Sequence, residues 1–310
     1  MIGPALTVGI TTRNRPGALQ RCLASLRHIA HLDPEVLVFD DASTPPAAGG
    51  NSGVRLIRDD EGAGYIAGRN RLVREAAAPL ILLLDDDAAL VEARGVERAM
   101  QILLADVQVA AVAFAQADGD GLPWAGRMQP GTGHSPSYVP AFIGFAHMLR
   151  RDTFLTLGGY RERYVFYGEE KDFCLRLLDA GHRVVYLPDA RVVHRPEMDG
   201  RDRRRYLRYV TRNDCLHALC NEPVHRLLWM LPARLALYFR MRRRWRIEDP
   251  YGWAWILNEL CANARGALRE RRAVSPATIR LWSDLRRVPH PYPLAVSPQT
   301  VGSWELEVGS

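Results

Sequence analysis

Residues 80–87 read Leu80-Ile81-Leu82-Leu83-Leu84-Asp85-Asp86-Asp87, five apolar side chains running without a break into three carboxylates. An apolar run of this length fits a strand buried on both faces, as in the middle of a parallel sheet, with the carboxylates at its C-terminal end. That edge is where open α/β sheets bind ligands. Three adjacent carboxylates repel one another and lose hydration there, a cost that a bound cation offsets. On this stretch alone two readings stay open, a divalent-metal site and a solvated acidic turn.

The rest of the chain supplies a sheet around that strand. Residues 6–11 are a short β-rich run that breaks into Thr12-Arg13-Asn14-Arg15-Pro16, and Leu19, Cys22, Leu23 and Leu26 follow at helical spacing. Residues 35–39 predict a second buried strand, ending in Asp40-Asp41, residues 54–57 a third, and residues 66–77 a helix leading to the strand at 80–84. Further on, 92–105 predicts a helix, 109–114 and 141–149 strands, and 152–157 a short helix ended by Gly158-Gly159. A helix carrying Phe173, Leu175, Leu177 and Leu178 is capped by Gly181, and strands are expected at 182–187 and 192–194. Strands alternating with helices imply an α/β fold, a mostly parallel sheet with right-handed crossovers and helices on both faces. The Gly- and Pro-rich segment 117–140 is long enough to predict a functional loop.

Composition changes near residue 200. Residues 201–246 hold thirteen arginines and three acids, while the whole 310-residue chain carries only +6, so the remainder is about −4. Two regions are therefore expected: 1–200, an α/β domain, and 201–310, mostly helical and Arg-rich, with a loose tail beyond 288. Residues 227–241 are apolar but broken by Pro232 and Arg234. With Trp229, Tyr238, Phe239 and basic flanks they suit either a helix lying at an anionic lipid surface or a core-packing helix. No apolar stretch reaches the ~20 residues that span a bilayer. Met1-Ile2-Gly3-Pro4 lacks the basic start of a signal peptide. The five cysteines, 22, 174, 215, 220 and 261, form no C-x-x-C pair, which argues against a disulfide framework or a zinc site. The expectation is a soluble cytoplasmic protein, at most peripheral at the inner face of a membrane.

The order of motifs is informative. Val8-Gly9-Ile10-Thr11-Thr12-Arg13-Asn14-Arg15, then Val38-Phe39-Asp40-Asp41-Ala42-Ser43, Ala67-Gly68-Arg69-Asn70, Leu84-Asp85-Asp86-Asp87, Gly158-Gly159-Tyr160 and Tyr167-Gly168-Glu169-Glu170-Lys171-Asp172 together resemble a family 2 glycosyltransferase of the Rossmann-like GT-A fold, over roughly residues 5–200. The C-terminal layout is similar to bacterial rhamnosyltransferase-like members. The resemblance implies a metal-dependent inverting transfer from a nucleotide-diphosphate sugar, UDP or dTDP, to a hydroxyl of a glycan or lipid-linked acceptor. It implies donor binding by Thr11, Thr12, Arg13, Arg15, Asp40, Asp41, Arg69, Asp85 and Asp86, with a carboxylate accepting the imide N–H of the base. Mn2+ or Mg2+ would sit on Asp87, Asp85 and His194, since both ions favour hard oxygen ligands. Glu169-Glu170 stands where the family carries its catalytic pair; Glu170 occupies the general-base position, Glu169 is the alternative, and Asp172 is an orienting or capping residue. Residues 201–246 would meet the acceptor, a membrane surface or another subunit.

Two other activities fit parts of the pattern. A sugar nucleotidyltransferase would want a Gly-rich loop after the first strand, and Thr12-Arg13-Asn14-Arg15-Pro16 has no glycine. A non-catalytic protein gripping nucleic acid or an anionic glycan would use Tyr206, Tyr209 and Trp245 among the arginines. That leaves the strand-end carboxylates unexplained, so no nucleic-acid partner is expected.

Overall fold

In a computed structural model, which describes residues 3–48, 53–196 and 202–293, the buried apolar runs become strands. The first half comprises β1 (Leu6–Thr12), α1 (Pro16–Ser25), β2 (Glu35–Asp41), β3 (Val54–Asp59), α2 (Tyr65–Glu75) and β4 (Leu80–Asp85). All its strand pairs are parallel, in the order β4-β1-β2-β3. The chain moves outward from β1 to β2 and β3 and then returns to the far side of β1 as β4. The crevice beyond the carboxyl ends of β1 and β4 is thus a switch point, where helices on either side leave space for a ligand. Register brings Thr11 beside Asp85 and Thr12 beside Asp40 at that edge. Leu80, Ile81, Leu82, Leu83 and Leu84 are all buried. At about 1.5–3 kcal/mol for each such side chain, this strand is a principal anchor of the core.

The second half holds β5 (Ala88–Leu90), α3 (Arg94–Ala105), β6 (Val109–Ala117), β7 (Ser137–Val139), β8 (Ala146–Arg150), α4 (Arg151–Thr156), α5 (Glu169–Asp179) and β9 (Arg183–His194). Here the sheet is mixed rather than mostly parallel. β6 and β9 run parallel, but β8 lies antiparallel between β4 and β6, and β7 and β5 are antiparallel to β9. The reason is connectivity: no crossover helix separates β6 from β8, and a parallel return needs one. The strand expected at 141–149 starts only at Ala146, because residues 141–145 leave the sheet to line the crevice. The two strands expected at 182–187 and 192–194 are one, β9, bulged where the register on β6 jumps from Leu187 to Arg191. Pro188, which has no N–H for the ladder, lies in that bulge.

Four helices follow: α6 (Arg203–Asn221), α7 (Val224–Arg244), α8 (Gly252–Arg269) and α9 (Pro276–Leu285), and then a short strand, β10 (His290–Pro291). Leu216, Cys220 and Ala267 share an apolar cluster with Phe173 and Leu177 of α5. Leu207, Tyr238 and Ile256 form a smaller cluster between α6, α7 and α8. The expectation of a loose tail beyond 288 changes at its start, where β10 pairs with β7; residues 294–310 lie outside the described residues. Among the described residues no helix is long and apolar enough to cross a membrane.

Candidate active site

The acidic run turns a corner after β4, and its three carboxylates separate. Asp85 ends the strand and faces the crevice, held by Arg69 Nη2 at 2.6 Å. Asp86 turns inward, accepting from Thr12 Oγ1 at 2.7 Å and from Arg15 Nη1 at 2.6 Å. Burial pushes its carboxyl up to about 6, despite the bonds from Thr12 and Arg15. Asp87 lies where β5 pairs with the end of β9, so that Ala88 sits opposite His194 and Arg195 N donates to Asp87 O at 3.0 Å.

This pairing gathers Asp85, Asp87 and His194, each offering one ligand atom, with those atoms all within 4.8 Å of one another. Two details fit a cation. Asp87 Oδ1 is buried and accepts no hydrogen bond among the described residues, although it lies 3.4 Å from His194 Nε2. The Gln116 amide is spent on Met128 O, so its Oε1 must accept from His194 Nδ1, at 2.8 Å. That bond leaves Nε2 with its lone pair toward Asp87, the tautomer a metal ligand needs. The imidazole is stacked against Phe145 and Trp124, with centroids 4.9 and 5.9 Å away.

Across the crevice, α5 begins with the two glutamates. Glu169 is fully buried, accepting from Arg69 Nη1 at 3.0 Å and from Tyr65 OH at 3.3 Å. Glu170 keeps 19% of its side chain exposed and lies 3.8 Å from Arg69 Nη1. Burial raises both carboxyls, Glu169 further through the charge of Glu170, while Arg69 opposes the rise. The like charges of the two neighbouring carboxylates and their burial act in the same direction on both, with Arg69 opposing.

Arg69 joins the two sides. It is 3% exposed, its Nη2 also donates to Gly144 O at 2.9 Å, and its Nε is buried with no partner among the described residues. Burial alone would lower its pKa, but Asp85, Glu169 and Glu170 raise it instead. Expected from the resemblance as a donor-binding residue, Arg69 is a buried bridge between Asp85 and the Glu169-Glu170 pair.

The loop into α5 is strained. Val165 and Tyr167 take left-handed conformations that non-glycine residues avoid, and Gly168 caps the helix at φ 93°. Asn213 of α6 pins it by donating from Nδ2 to the carbonyls of Tyr164, Phe166 and Tyr167 at 2.9, 2.8 and 2.7 Å. Strain of this kind persists only where surrounding bonds over-determine it.

The remaining expected residues divide. Thr11 is buried at the edge of β1, and Arg13, largely exposed, donates to Asp41 Oδ2 at 3.3 Å; Asp41 Oδ1 accepts from Gly64 N at 2.9 Å. These face the crevice. Asp40 is buried and filled by donors from Ser43 N, Ala47 N and Arg58, whose bonds outweigh burial and hold its carboxyl low, so it shapes the loop instead of facing a ligand. Arg15 is engaged by Asp86 and by Asp87 Oδ2 at 3.1 Å. Asp172 spends its carboxylate on neighbouring side chains. It accepts from Arg161, Arg176 Nε, Tyr164 OH and Asn221 Nδ2, and although burial would raise it, Arg176, His217 and Arg161 hold it well below the usual carboxylate range.

Gln116, Gly144, Tyr65 and Asn213 were not legible as site residues. Only Gln116 left a trace, as the polar residue closing the apolar run of β6.

A parallel half-sheet with its crevice at the switch point, strand-end carboxylates and a metal-capable Asp/Asp/His group places the ligand-binding edge of an α/β fold, and the chain has the GT-A fold. Residues 7–161, half of the chain, match the profile of glycosyl transferase family 2, and the chain belongs to that family. The pre-mycofactocin glycosyltransferases of two Mycobacterium tuberculosis strains, CDC 1551 / Oshkosh and H37Rv, are each 29% identical over 209 residues. The match covers 61% of this chain and only 42% of those relatives. GalNAc-T7, solved with UDP, GalNAc and Mn2+, superposes with a TM-score of 0.59 at 16% identity over 84% of this chain and 57% of that one. The mannosyltransferase PcManGT from Pyrobaculum calidifontis, in complex with GDP-Man and Mn2+, gives 0.51 at 18% identity over 92% and 85%.

Proposed function

We propose that the protein is a metal-dependent inverting glycosyltransferase using a UDP or dTDP sugar, with residues 1–200 binding the donor and 201–310 serving the acceptor. The single observation that carries this reading is the bridge from Asp85 through Arg69 to the Glu169-Glu170 pair, which sets a metal-capable group and an open carboxylate on one crevice. The UDP and Mn2+ of GalNAc-T7 are in keeping with it.

Thr11, Arg13 and Asp41 would hold base and ribose, and Asp85 the ribose and, with Asp87 and His194, a divalent ion. Such an ion, Mn2+ or Mg2+, would supply positive charge to the departing diphosphate. The acceptor oxygen forms its bond to the anomeric carbon as the bond to the diphosphate breaks, in a single displacement. Glu170 takes the hydroxyl proton, for which its partial exposure suits it better than Glu169. Glu169, held by Arg69 and Tyr65, positions the start of the helix that carries Glu170. The acceptor class that fits is a glycan or lipid-linked hydroxyl.

A screen of nucleotide sugars with Mn2+ for slow hydrolysis tests the donor without an acceptor. Hydrolysis of a UDP or dTDP sugar that stops on metal removal is expected, and Asp87→Ala should lose calorimetric binding of the nucleoside diphosphate with Mn2+. Metal-independent hydrolysis, or unchanged binding in the variant, overturns the reading.

A further inference from the structure

One face of α7 is left largely exposed by the described residues. Along this helix a stripe of exposed positions recurs at three- and four-residue intervals, through residues 225, 228, 229, 232, 236, 239, 240 and 243, with 224, 233 and 244 exposed at its margins, while Met230 and Tyr238 are buried on the opposite side. Leu228, Trp229 and Phe239 on that face are 81%, 56% and 46% exposed. The helix contains no acidic residue and ends in Arg240, Arg242, Arg243 and Arg244. The N-terminus of α6 adds the exposed Arg203, Arg204 and Arg205 to the same end, since Tyr206 packs 6.1 Å from Trp245 and Arg208 pairs with Asp249. Asp202, which caps α6, and Glu248 are the other acids there.

We infer that this face docks on an anionic lipid bilayer, with Leu228, Trp229 and Phe239 entering the interface and the arginine cluster meeting lipid phosphates. A helix apolar on its outer face and bordered by arginine has the make-up of one lying in the interfacial plane. A second copy of the chain is a poor occupant, because an isologous contact would oppose arginine to arginine with no acid on the helix to answer. Nucleic acid would find few donors between the arginines, where the face offers Pro232, Ala236 and Phe239. The surface also adjoins the catalytic loop: the Arg205 guanidinium lies 4.7 Å over the Phe166 ring and Tyr206 packs 5.0 Å from Tyr167, one residue before Gly168 and the two glutamates. A protein resting on lipid through this face keeps the loop that leads to the Glu169-Glu170 pair beside the headgroup layer, where the acceptor of the proposed reaction would be anchored.

The test is sedimentation of the full chain with vesicles of phosphatidylcholine alone and of equimolar phosphatidylcholine and phosphatidylglycerol. Binding to the anionic vesicles only, weakening with salt, is expected. Each arginine near an anionic surface is worth about fivefold in partitioning, so Arg240→Gln, Arg243→Gln and Arg244→Gln together should cost roughly a hundredfold. Leu228→Ser with Phe239→Ser should also release the protein. Should a combined variant fail to fold, Arg243→Gln alone carries the test with an expected loss of about fivefold. No binding to anionic vesicles overturns the inference, as does binding that all variants leave unchanged. So does tighter binding to a short duplex DNA than to vesicles, or a dimer that the Leu228 and Phe239 changes dissolve in the absence of lipid. Mn2+-dependent donor hydrolysis in solution should persist in every folded variant. If the wild type sediments with vesicles yet hydrolyses no donor, the transfer reading fails and this one stands.

Discussion

Gly144 is where a methyl group separates catalysis from stability. A Cβ built on it would lie 2.2 Å from Glu170 Oε1 and 2.8 and 3.0 Å from Arg69 Nη1 and Nη2. Its backbone is outside the left-handed region, so alanine brings no backbone strain. Arg69 is fixed by Asp85, Glu169 and the Gly144 carbonyl, which leaves the partly exposed Glu170 to yield. To reach ordinary contact at 3.4 Å from 2.2 Å, its carboxylate must retreat by about 1.2 Å. An off-rotamer side chain costs of order 0.5–1.5 kcal/mol, and a displaced catalytic group of about 1 Å costs on the order of 10² in rate. Gly144→Ala should therefore lose roughly a hundredfold in kcat, while denaturant unfolding falls by no more than about 1.5 kcal/mol and nucleoside diphosphate affinity changes by only a few-fold. Steady-state kinetics, calorimetry and urea unfolding on one preparation separate these terms. Turnover near wild type with stability also unchanged would remove Glu170 from the base role, and turnover near wild type with lost stability would mean that the methyl is absorbed elsewhere.

Four further outcomes are expected. Because burial raises the Glu169 and Glu170 carboxyls above the ordinary 4.5, the acid limb of kcat should lie at higher pH than for a free glutamate, activity falling as the pH drops through it. Glu170→Gln should abolish that limb and cost about 10² to 10⁴ in turnover, as read from a pH–rate profile. Gln116→Leu frees the His194 tautomer and should weaken Mn2+ binding by about 10- to 100-fold in a calorimetric titration. Asp172→Asn leaves Arg161 and Arg176 without their buried partner and should cost about 3–5 kcal/mol in urea unfolding. Folding lowers the Asp172 pKa, so below its ordinary 3.8 the unfolded chain binds the extra proton. The wild type should thus lose this stabilisation as pH falls through that range, and the asparagine variant should not.

What could be read from the sequence was whatever short-range pattern dictates. An unbroken apolar run such as Leu80 to Leu84 has few homes besides a central strand, and a carboxylate at its end must lie at the sheet edge. The alternation of β1 to β4 with helices carried the parallel half for the same reason. The antiparallel insertion of β8 was not legible, because pairing partners are chosen by connections and distant contacts that no local period encodes. The meeting of Asp87 with His194 depends on β5 finding β9 across more than a hundred residues, and only the family resemblance anticipated it. Asn213 lies in an Arg-rich helix with nothing in its neighbours to mark it; its importance comes from three carbonyls that a strained loop exposes.

Hydrogen-bond saturation sorts the carboxylates that sequence alone treats alike. A buried carboxylate offers about four lone-pair sites, and where neighbours supply donors for them the group is committed to holding the chain. Asp40, with Ser43, Ala47 and Arg58, and Asp172, with Arg161, Arg176, Tyr164 and Asn221, are committed in this way. Asp86 is likewise spent on Thr12 and Arg15, and its position ties β1 to the corner after β4. Asp87 has a buried oxygen with no donor among the described residues, and Glu170 stays partly open. Leaving such atoms unpaired costs free energy, about 1–3 kcal/mol for a buried acceptor, and a fold has no reason to keep that cost unless something else binds there. Arg69 makes the cost tolerable: its charge serves Asp85 on one side and the Glu169-Glu170 pair on the other, so two groups of acids that would repel each other across the crevice share one buried cation. Removing that cation would set both groups against each other at once, and for this reason donor site and base are built as one unit.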